Sequence, residues 1–358
     1  MRLAHLAAFA PRCPVCLRNG RTPPPLALGP VAVCTETEIV QGVLLCPDCQ
    51  HEYPVIDRVP VIVADLRRVL SERGLEMMLR DDLDPALESL LGDAIGPDSW
   101  LDGIRQLHSS YSWDGYADLD PEEPGAVGGP MPGAARRCLA RLLDLAGSAG
   151  TPGLIIDAGC AAGRTSFDLA GAHPQALVLG IDLNLGLLRL AAAAGQGAVS
   201  YPRRRIGLVY DRRRFAVALD GAARVDFWAC DATALPFEGA VSGLTVALNL
   251  LDCVPDPRRL LESLAAATTP GGRVLLATPY DWSARATPPE AWLGGHSQRA
   301  PHRGAGEAFL HALTSGEGPH AVAGLAQRGE VADWPWHTRL HDRSAVQYRT
   351  HLLALDRR

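Results

Sequence analysis

The 358-residue sequence is 47% hydrophobic and 21% charged, which is typical of a globular protein large enough for two domains. Its formal net charge of -6 excludes a global electrostatic attraction to nucleic acid or to an anionic membrane. All 34 basic residues are Arg, and this bias, together with abundant Ala, Gly and Pro, indicates a high-GC bacterial genome. Because the sequence has no apolar run long enough for a bilayer and no leader pattern, we expect a cytoplasmic protein with no membrane contact.

Two Cys-x-x-Cys pairs stand near the start of the sequence, at Cys13 and Cys16 and at Cys46 and Cys49. Each pair lets two thiolates from one tight turn reach the same ion, and four sulfur ligands satisfy tetrahedral Zn²⁺ with no open position. We therefore predict a structural zinc ribbon over residues 1–65, with a dithiol redox pair or a site that has lost its metal as alternatives. Cys34, between the pairs, is expected to pack as a small apolar residue.

A helical connector is predicted over residues 66–130, because apolar residues recur with helical spacing between 66 and 110. The segment 118–133 is rich in Pro and Gly, which predicts a lid-like loop or a domain boundary. Aromatic side chains just before it either cover a ligand pocket or pack the connector onto the core. These side chains are Tyr111, Trp113 and Tyr116.

From residue 131 to 358 the pattern alternates between strands and helices, which predicts a Rossmann-like α/β domain: a seven-stranded sheet, largely parallel, with helices on both faces. Helices are predicted at 136–145, 164–171, 185–194 and 257–267, and strands at 154–158, 176–181, 225–229, 243–248 and 272–277. The segments 334–340 and 345–355 predict an antiparallel final pair. Ligands bind such sheets at the carboxyl ends of the strands.

The apolar strand at 154–158 runs into Asp157-Ala-Gly-Cys-Ala-Ala-Gly163, a pattern by which a Rossmann-like unit receives a nucleoside. Asp182 ends the next strand, where a carboxylate can chelate a ribose diol, and Asp231 ends another, where an adenine amino group can be held. This order resembles the class I S-adenosylmethionine (SAM) methyltransferases. The predicted cofactor-binding residues are Asp157, Gly159, Cys160, Gly163, Arg164, Asp182, Asp231, Ala232 and Asn249.

A dinucleotide-binding fold is the rival interpretation, together with a degenerate fold that binds no cofactor. A dinucleotide site normally shows G-x-G-x-x-G, so that a pyrophosphate can lie on the helix N-terminus. That spacing is absent here, since Ala161 stands between Gly159 and Gly163. SAM has no phosphate to bind, and the sequence therefore favours SAM.

Methyl transfer requires alignment of an acceptor lone pair with the methyl group and exclusion of water. The residues that do this are expected in the loops after the fourth and fifth strands of the domain. Asn249 and Asp252 can hydrogen-bond an acceptor N–H and stabilise a developing cation, and Tyr280 and Trp282 can stack on a flat or cationic acceptor. The alternatives are that Asn249 only holds its loop and that Trp282, like Trp292, is a core residue.

An insertion between Tyr201 and Arg214 holds six Arg residues. It is either a phosphate-binding arm or a solvated loop. We expect the loop, because no aromatic residues alternate regularly with the arginines as single-stranded nucleic acid binding would favour.

Several of these segments resemble the C-terminal methyltransferase domain of ovothiol-synthesising enzymes. The resemblance rests on the loop that begins at Gly159, on Asn249-Leu-Leu-Asp252, on Thr278-Pro-Tyr-Asp-Trp282 and on Trp292-Leu-Gly-Gly295. It implies SAM-dependent N-methylation of a thiohistidine imidazole. Carried onto this sequence, it places Asn249, Asp252, Tyr280 and Trp282 beside the acceptor.

The tail of the ribbon, with Tyr53-Pro54 and Pro60 after the second Cys pair, is similar to zinc-ribbon activator proteins that partner RNA and protein methyltransferases. This resemblance implies that a module found elsewhere as a separate subunit is fused here in cis, where it can contact a protein partner. The alternative is a ribbon that only caps an apolar face of the larger domain.

The sequence thus favours an N-methyltransferase that uses SAM and a structural Zn²⁺ and acts on a small molecule or peptide with a histidine-like imidazole. The runner-up is an rRNA or tRNA base methyltransferase that binds RNA through the ribbon and the Arg-rich insertion. The third hypothesis is a non-catalytic SAM-binding scaffold.

Overall fold

A computed structural model describes residues 1–69, 85–123, 129–147, 150, 152–295 and 297–358. The helices are α1 Leu3–Phe9, α2 Pro14–Arg18, α3 Pro85–Ile95, α4 Trp100–Tyr116, α5 Ala134–Ala146, α6 Arg164–Ala172, α7 Leu185–Ala194, α8 Pro257–Ala267 and α9 Gly306–Thr314. The strands are β1 Ala27–Cys34, β2 Ile39–Leu45, β3 Glu52–Ile56, β4 Val59–Ile62, β5 Leu154–Ala158, β6 Leu177–Asp182, β7 Ala198–Ile206, β8 Val209–Ala216, β9 Val225–Cys230, β10 Ser242–Leu248, β11 Thr268–Thr278, β12 Leu325–His341 and β13 Ser344–Arg357. None of the helices in the described ranges is both long and apolar enough to cross a membrane.

Seven strands form the central sheet in the order β9-β6-β5-β10-β11-β13-β12. The neighbours from β9 to β11 are parallel, whereas β13 is antiparallel to both β11 and β12. The sequence predictions of a Rossmann-like sheet and of an antiparallel final pair are confirmed. The chain leaves β5 toward β6 on one side and returns to β10 on the other, and a crevice at the carboxyl ends of such strands is where open α/β sheets bind ligands.

The core consists of two apolar layers, one on each face of the sheet. Neighbouring residues of β5 point to opposite layers, with Ile155 in one and Ile156 in the other. The first layer is closed by Leu142 of α5, Phe167 of α6 and Leu188 of α7. The second is closed mainly by α8 and α9. Because both faces are covered, the strands are apolar throughout rather than alternating.

The cysteine-containing unit continues the central sheet instead of standing beside it. Strands β1 to β4 pair antiparallel in chain order, and β4 then pairs parallel with β9 through Val61–Ala229 and Ile62–Cys230. The Arg2 backbone N–H donates to Asp226 Oδ2 at 2.8 Å. Eleven of the thirteen described strands therefore form one sheet, in which the ribbon covers the β9 edge that the central sheet would expose.

The Arg-rich insertion is the β7–β8 hairpin, so the prediction of a solvated loop is wrong. Three of its six arginines form ion pairs with acidic residues of the connector. Arg203 Nε lies 2.8 Å from Glu123 Oε2, and Arg213 Nη2 lies 2.6 Å from Asp120 Oδ1. Arg212 pairs with Glu88. These acidic partners explain why so many arginines occur in this short segment, which the sequence alone did not show.

The segment predicted as a helical connector contains α3 and α4, while its residues 70–84 and 124–128 lie outside the described residues. Trp113 and Tyr116 are buried, which fits the packing alternative for these two rings. Tyr116 donates a hydrogen bond to Ala162 O at 2.7 Å and so ties α4 to the glycine loop. The boundaries at residues 65 and 130 stay predictions.

Candidate cofactor and acceptor site

The loop after β5 turns sharply and is fastened to β6. Gly159, Ala161 and Gly163 all have positive φ, between 47 and 80°. The backbone N–H groups of Gly159 and Cys160 both donate to Ile181 O, at 2.8 and 3.0 Å. The loop therefore lies against the carboxyl end of β6, at the point where the crevice opens.

Gly163 is required by packing within the protein. A Cβ at this position would lie 2.6 Å from Ala191 Cβ and from the Phe227 ring, so a larger residue would separate the loop from α7 and β9. At Gly159 a Cβ would lie 3.0 Å from Leu250 Cδ1. Helix–strand packing, a recognised role of the last glycine in such loops, therefore requires Gly163, and the expectation that the glycines clear space for a ligand stays a prediction.

Two of the predicted cofactor residues use their side chains to hold the loop. Asp157 is buried beneath it and accepts hydrogen bonds from Thr165 Oγ1 and Ser166 Oγ, both at 2.7 Å. Burial raises the pKa of Asp157 to about 6. The Arg164 guanidinium turns away toward Asp118, with Nη1 and Nη2 at 2.9 and 3.1 Å from its oxygens. Asp157 and Arg164 could therefore contact a cofactor only through their backbone atoms.

Asp182 and Asp231 lie at the carboxyl ends of β6 and β9. Asp182 accepts from the backbone N–H groups of Ala161 at 3.0 Å and Asn184 at 2.8 Å, which orient its carboxylate. Asp231 Oδ1 accepts from the backbone N–H and the hydroxyl of Thr233, at 2.9 and 2.7 Å. Ala232 follows it in a short 3-10 turn. Both carboxylates thus lie at the carboxyl ends of neighbouring strands, and their roles with ribose and adenine stay predictions.

Tyr111 of α4 lies between the two halves of the site. Its side chain is 45% exposed, unlike Trp113 and Tyr116 of the same helix. Burial by the surrounding groups raises the pKa of Tyr111, and Cys253, Asp182, Tyr348 and Asp252 raise it further. Tyr111 is therefore near enough to Asp182 and Asp252 for their charges to act on its hydroxyl.

Asn249 and Asp252 occupy the loop after β10, as predicted, and each presents an unused acceptor atom. Asn249 has a φ of 50°, and its backbone N–H donates to Ala277 O at 2.8 Å. Asp252 Oδ2 accepts from the Asp281 N–H at 2.7 Å. Asn249 Oδ1 and Asp252 Oδ1 are buried and have no hydrogen-bond partner among the described residues. A buried acceptor without a partner costs free energy, so a bound N–H group is the expected partner.

Three aromatic rings line the acceptor side of the crevice. Trp282 and Trp292 lie nearly parallel, with ring centroids 6.4 Å apart and an interplanar angle of 15°. Both are only half-buried, so the alternative that they are core residues is wrong. Tyr280 lies beside Trp282 with a centroid separation of 6.5 Å. The rings form a wall that suits a flat acceptor.

A polar chain leads from Tyr280 to the surface. Tyr280 Oη lies 2.7 Å from His351 Nδ1, and His351 Nε2 lies 3.4 Å from Glu330 Oε2. His311 Nε2 lies 2.6 Å from the same oxygen. Sequence reasoning missed this chain, because its members come from the loop after β11, from β13, β12 and α9, and share no local pattern. The Arg-Thr-His351 run in a strand was its only signal.

The four predicted metal ligands lie together. Their Sγ atoms fall within 4.8 Å of one another, with Cys13–Cys49 at 3.6 Å and Cys16–Cys46 at 4.0 Å. Four thiolates at the usual Zn–S distance would be separated by about 3.8 Å, so the cluster fits a tetrahedral Zn²⁺. Tyr53 Oη lies 3.0 Å from Cys13 Sγ and would orient that ligand.

Two other cysteines were also considered in the sequence. Cys34 is exposed on β1, so the prediction that it packs as an apolar residue is wrong. Cys253 lies next to Asp252, and burial raises the pKa of its thiol to about 12. A thiol that stays protonated is a poor nucleophile, in agreement with a reaction that does not pass through this cysteine.

Comparison with known proteins agrees with this geometry. Residues 156–276 match the model of a family described as a methyltransferase domain. The chain therefore carries a class I SAM-dependent methyltransferase domain of Rossmann-like fold. A demethylmenaquinone methyltransferase from Paenarthrobacter aurescens (strain TC1) is 32% identical over 103 residues, which are 27% of this chain and 40% of that protein. The chain thus spans less than half the length of that relative.

Solved structures include similar proteins. A phosphoethanolamine N-methyltransferase 2 from Haemonchus contortus in complex with SAM is 21% identical with a TM-score of 0.31, covering 40% of this chain and 28% of that chain. A SAM-dependent methyltransferase from Methanosarcina mazei is 20% identical with a TM-score of 0.34, covering 57% of this chain and 92% of that chain.

Proposed function

We propose that this protein is a SAM-dependent N-methyltransferase that methylates an imidazole-type nitrogen of a histidine-derived small molecule or peptide. The observation that carries the proposal is the pair of buried acceptors without partners, Asn249 Oδ1 and Asp252 Oδ1, beside a half-buried aromatic wall. SAM supplies an electrophilic methyl group when bound. The residues predicted to hold it are the loop from Gly159 to Gly163, Asp182, Asp231 and Asn249.

The acceptor side suits a neutral, flat ring with one N–H. A neutral imidazole already offers a lone pair for the methyl group, so no strong base is needed to create one. Asn249 Oδ1 and Asp252 Oδ1 can accept N–H groups that a histidine-derived acceptor carries outside the ring, and the Asp252 carboxylate can compensate the positive charge that develops on the ring. Trp282 and Trp292 can stack on the ring and keep water out. Burial raises the pKa of Asp252, which makes the carboxylate a better hydrogen-bond acceptor than an exposed one.

The zinc ribbon is proposed as a structural unit with Cys13, Cys16, Cys46 and Cys49 as its ligands. A closed shell of four thiolates leaves no position for a substrate, so the metal supplies folding free energy and no chemistry. The alternative in which the ribbon only caps an apolar face of the larger domain is supported by the shared apolar layer of Phe9, Tyr53 and Trp228. The strand pairing of β4 with β9 adds cover for the sheet edge.

Methyl transfer from tritiated SAM to separate acceptor pools tests the proposal. The first pool holds histidine and thiohistidine derivatives and short peptides, and the second holds total cellular RNA. We expect label in the imidazole pool, with activity rising as pH increases through the acceptor imidazole pKa of about 6.5. Asp252→Asn should lower kcat about 10²-fold. Asp220→Asn, an exposed carboxylate in the turn before β9, is the control for charge loss and should leave kcat unchanged.

Label confined to RNA would contradict this acceptor assignment and favour the RNA base methyltransferase. SAM affinity without transfer to either pool would favour the non-catalytic scaffold.

A further inference from the structure

We propose that Tyr280 is the group that takes the acceptor's proton, and that His351 and Glu330 position its hydroxyl and carry that proton to solvent. This inference rests on the proposed function and deepens it by assigning the proton path. It follows from three side chains in hydrogen-bond sequence, Tyr280 Oη to His351 Nδ1 at 2.7 Å and His351 Nε2 to Glu330 Oε2 at 3.4 Å.

The direction of the hydrogen bonds follows from the carboxylate. An ionised carboxylate only accepts, so Glu330 selects the tautomer of His351 that carries the proton on Nε2. His351 Nδ1 is then a lone pair, and the Tyr280 hydroxyl must donate to it. With its own proton directed at His351, the Tyr280 oxygen keeps its lone pairs for another donor. The same logic orients the nucleophile in a Ser-His-Asp triad.

The hydrogen-bonded series from Tyr280 to Glu330 runs from a buried region to a solvent-exposed one. The His351 side chain is 3% exposed, whereas Glu330 is 46% and His311 is 42% exposed. Tyr280 lies at the inner end, next to Trp282 of the aromatic wall. A proton that enters at Tyr280 can therefore leave at Glu330 without crossing the acceptor pocket.

The charged groups that face this chain lie on α9, on β12 and in the loop after β10. Burial raises the pKa of Tyr280, and Glu307, Glu330 and Asp252 raise it further. Burial lowers the pKa of His351, against the opposing effect of Glu330 and Glu307, while His311 lowers it further. A neutral His351 beside a protonated Tyr280 is thus the resting state, which is the state that can receive a proton.

The atoms and charges balance over the reaction. A pyridine-type nitrogen of the acceptor ring forms the new bond to carbon with its lone pair, and the sulfur–carbon bond of the sulfonium breaks with its electrons staying on sulfur. The ring is now a cation, and its remaining N–H passes its proton to Tyr280 Oη as the Tyr280 proton passes to His351 Nδ1. The positive charge that began on sulfur is then on the His351 imidazolium, next to the Glu330 carboxylate, and the Nε2 proton leaves through Glu330 to water.

Activity and tautomer measurements on the full chain test the path together. Tyr280→Phe removes the hydroxyl and should lower kcat about 10²-fold with little change in KM for SAM. His351→Gln keeps an acceptor for Tyr280 and a donor for Glu330 but cannot hold an extra proton, so kcat should fall at least about tenfold. Glu330→Gln changes an exposed residue and should fold, so it tests the proton path even if His351→Gln does not fold. His320→Asn, at an exposed histidine outside this series of side chains, is the control and should keep activity within about twofold.

The pH profile separates proton transfer from simple support. His351 must be neutral to accept a proton. We therefore expect kcat to fall at low pH, on an acidic limb whose midpoint is the pKa of His351. Glu330→Gln removes the carboxylate that raises that pKa, and the limb should move to lower pH by about one unit. A purely structural role would lower kcat at every pH without moving the limb.

Nitrogen-15 spectra of histidine-labelled protein give a readout that needs no acceptor. We expect an unprotonated Nδ1 and a protonated Nε2 for His351, assigned by comparison with His351→Gln. A protonated Nδ1 would overturn the proposal, because the Tyr280 oxygen would then accept instead of donate. A second bound zinc that disappears in His351→Gln would also overturn it, in favour of a metal site at His311, Glu330 and His351.

Failure of the proton relay and failure of the proposed function give different results. A wild-type protein that labels no imidazole acceptor overturns the relay together with the proposed function. A wild type that labels the acceptor while Tyr280→Phe, His351→Gln and Glu330→Gln keep its kcat overturns the relay alone.

Discussion

Asp182 Oδ2 accepts the backbone N–H of Ala161 at 3.0 Å, so the carboxylate at the end of β6 fastens the glycine loop after β5. One residue thereby links the loop and the strand end that together would surround a nucleoside. Ala161 has a φ of 47°, an unfavourable value for a residue with a Cβ, and this hydrogen bond helps to hold it there.

The link predicts a double effect of Asp182→Ala. Loss of charge-assisted hydrogen bonds to a ribose diol should weaken SAM binding by about 1–3 kcal/mol. Release of the Ala161 N–H should also loosen the loop and lower the melting temperature. Calorimetry with SAM measures the first effect and thermal denaturation the second. Glu262→Gln, in an exposed pair with Arg258 on α8, is the control. Unchanged SAM affinity would rule out Asp182 as a cofactor residue.

Cys46→Ser should release the zinc and destabilise more than the ribbon. Since β4 pairs with β9, disorder in the ribbon would expose the edge of the central sheet. We expect loss of zinc by metal analysis, and a lower melting temperature together with loss of hydrogen-exchange protection in β9. Cys34→Ser, an exposed cysteine of β1, is the matched control and should keep both the zinc and the melting temperature. Zinc retained in Cys46→Ser would contradict the ribbon.

Gly163→Ala tests the packing role of the last loop glycine. Gly163 and Gly239 both have positive φ, 80 and 73°, but a Cβ at Gly239 would meet open space. Gly239→Ala should therefore cost only the backbone strain, about 1 kcal/mol. Gly163→Ala adds the collision with Phe227 and Ala191 and should cost about 2–4 kcal/mol in the free energy of unfolding. Equal losses in urea denaturation would mean that Phe227 moves aside without cost.

The buried Asp157 predicts a pH-dependent contribution to stability. Burial raises its pKa to about 6 in the folded state, above the value of 3.8 expected for an unfolded chain. Between these values the folded state holds a proton that the unfolded state has lost, so the contribution of this carboxyl falls as pH rises toward 6 and is constant above it. The free energy of unfolding of Asp157→Asn relative to wild type should therefore rise with pH over this range. Parallel curves for the two proteins would place the Asp157 pKa near its usual value.

The arginine hairpin predicts a structural effect that depends on burial. Arg213 pairs with Asp120, whose side chain is 1% exposed, whereas Arg205 is 54% exposed beside Asp211 and Asp342. Arg213→Ala leaves a buried carboxylate without its cation and should cost about 3 kcal/mol. Arg205→Ala should cost less than about 1 kcal/mol. Denaturant unfolding measures both.

The same ion pairs predict weak RNA binding by this hairpin. Arginines already paired with carboxylates release few counterions, so the affinity for total RNA should change little with salt. A steep salt dependence that is lost in a hairpin variant would instead favour an RNA substrate.

Local patterns in the sequence were sufficient for the central sheet and for the groups at its strand ends. Apolar strands ending at Asp157, Asp182 and Asp231 put these carboxylates at one edge of a parallel sheet, because all parallel strands end on the same side. Cys-x-x-Cys turns likewise bring sulfur atoms together within a few residues. Such features depend on short stretches of chain, and their spacing is visible in the sequence.

Tertiary structure alone decided the features that join distant stretches. The sequence does not show that β4 pairs with β9, that Arg213 has Asp120 as its partner, or that His351 stands between Tyr280 and Glu330. Each of these contacts depends on strand register and on helix packing over long separations, which leave no local periodicity to read. The sequence determined which chemical groups stand at the strand ends, and the tertiary structure determined which of them meet.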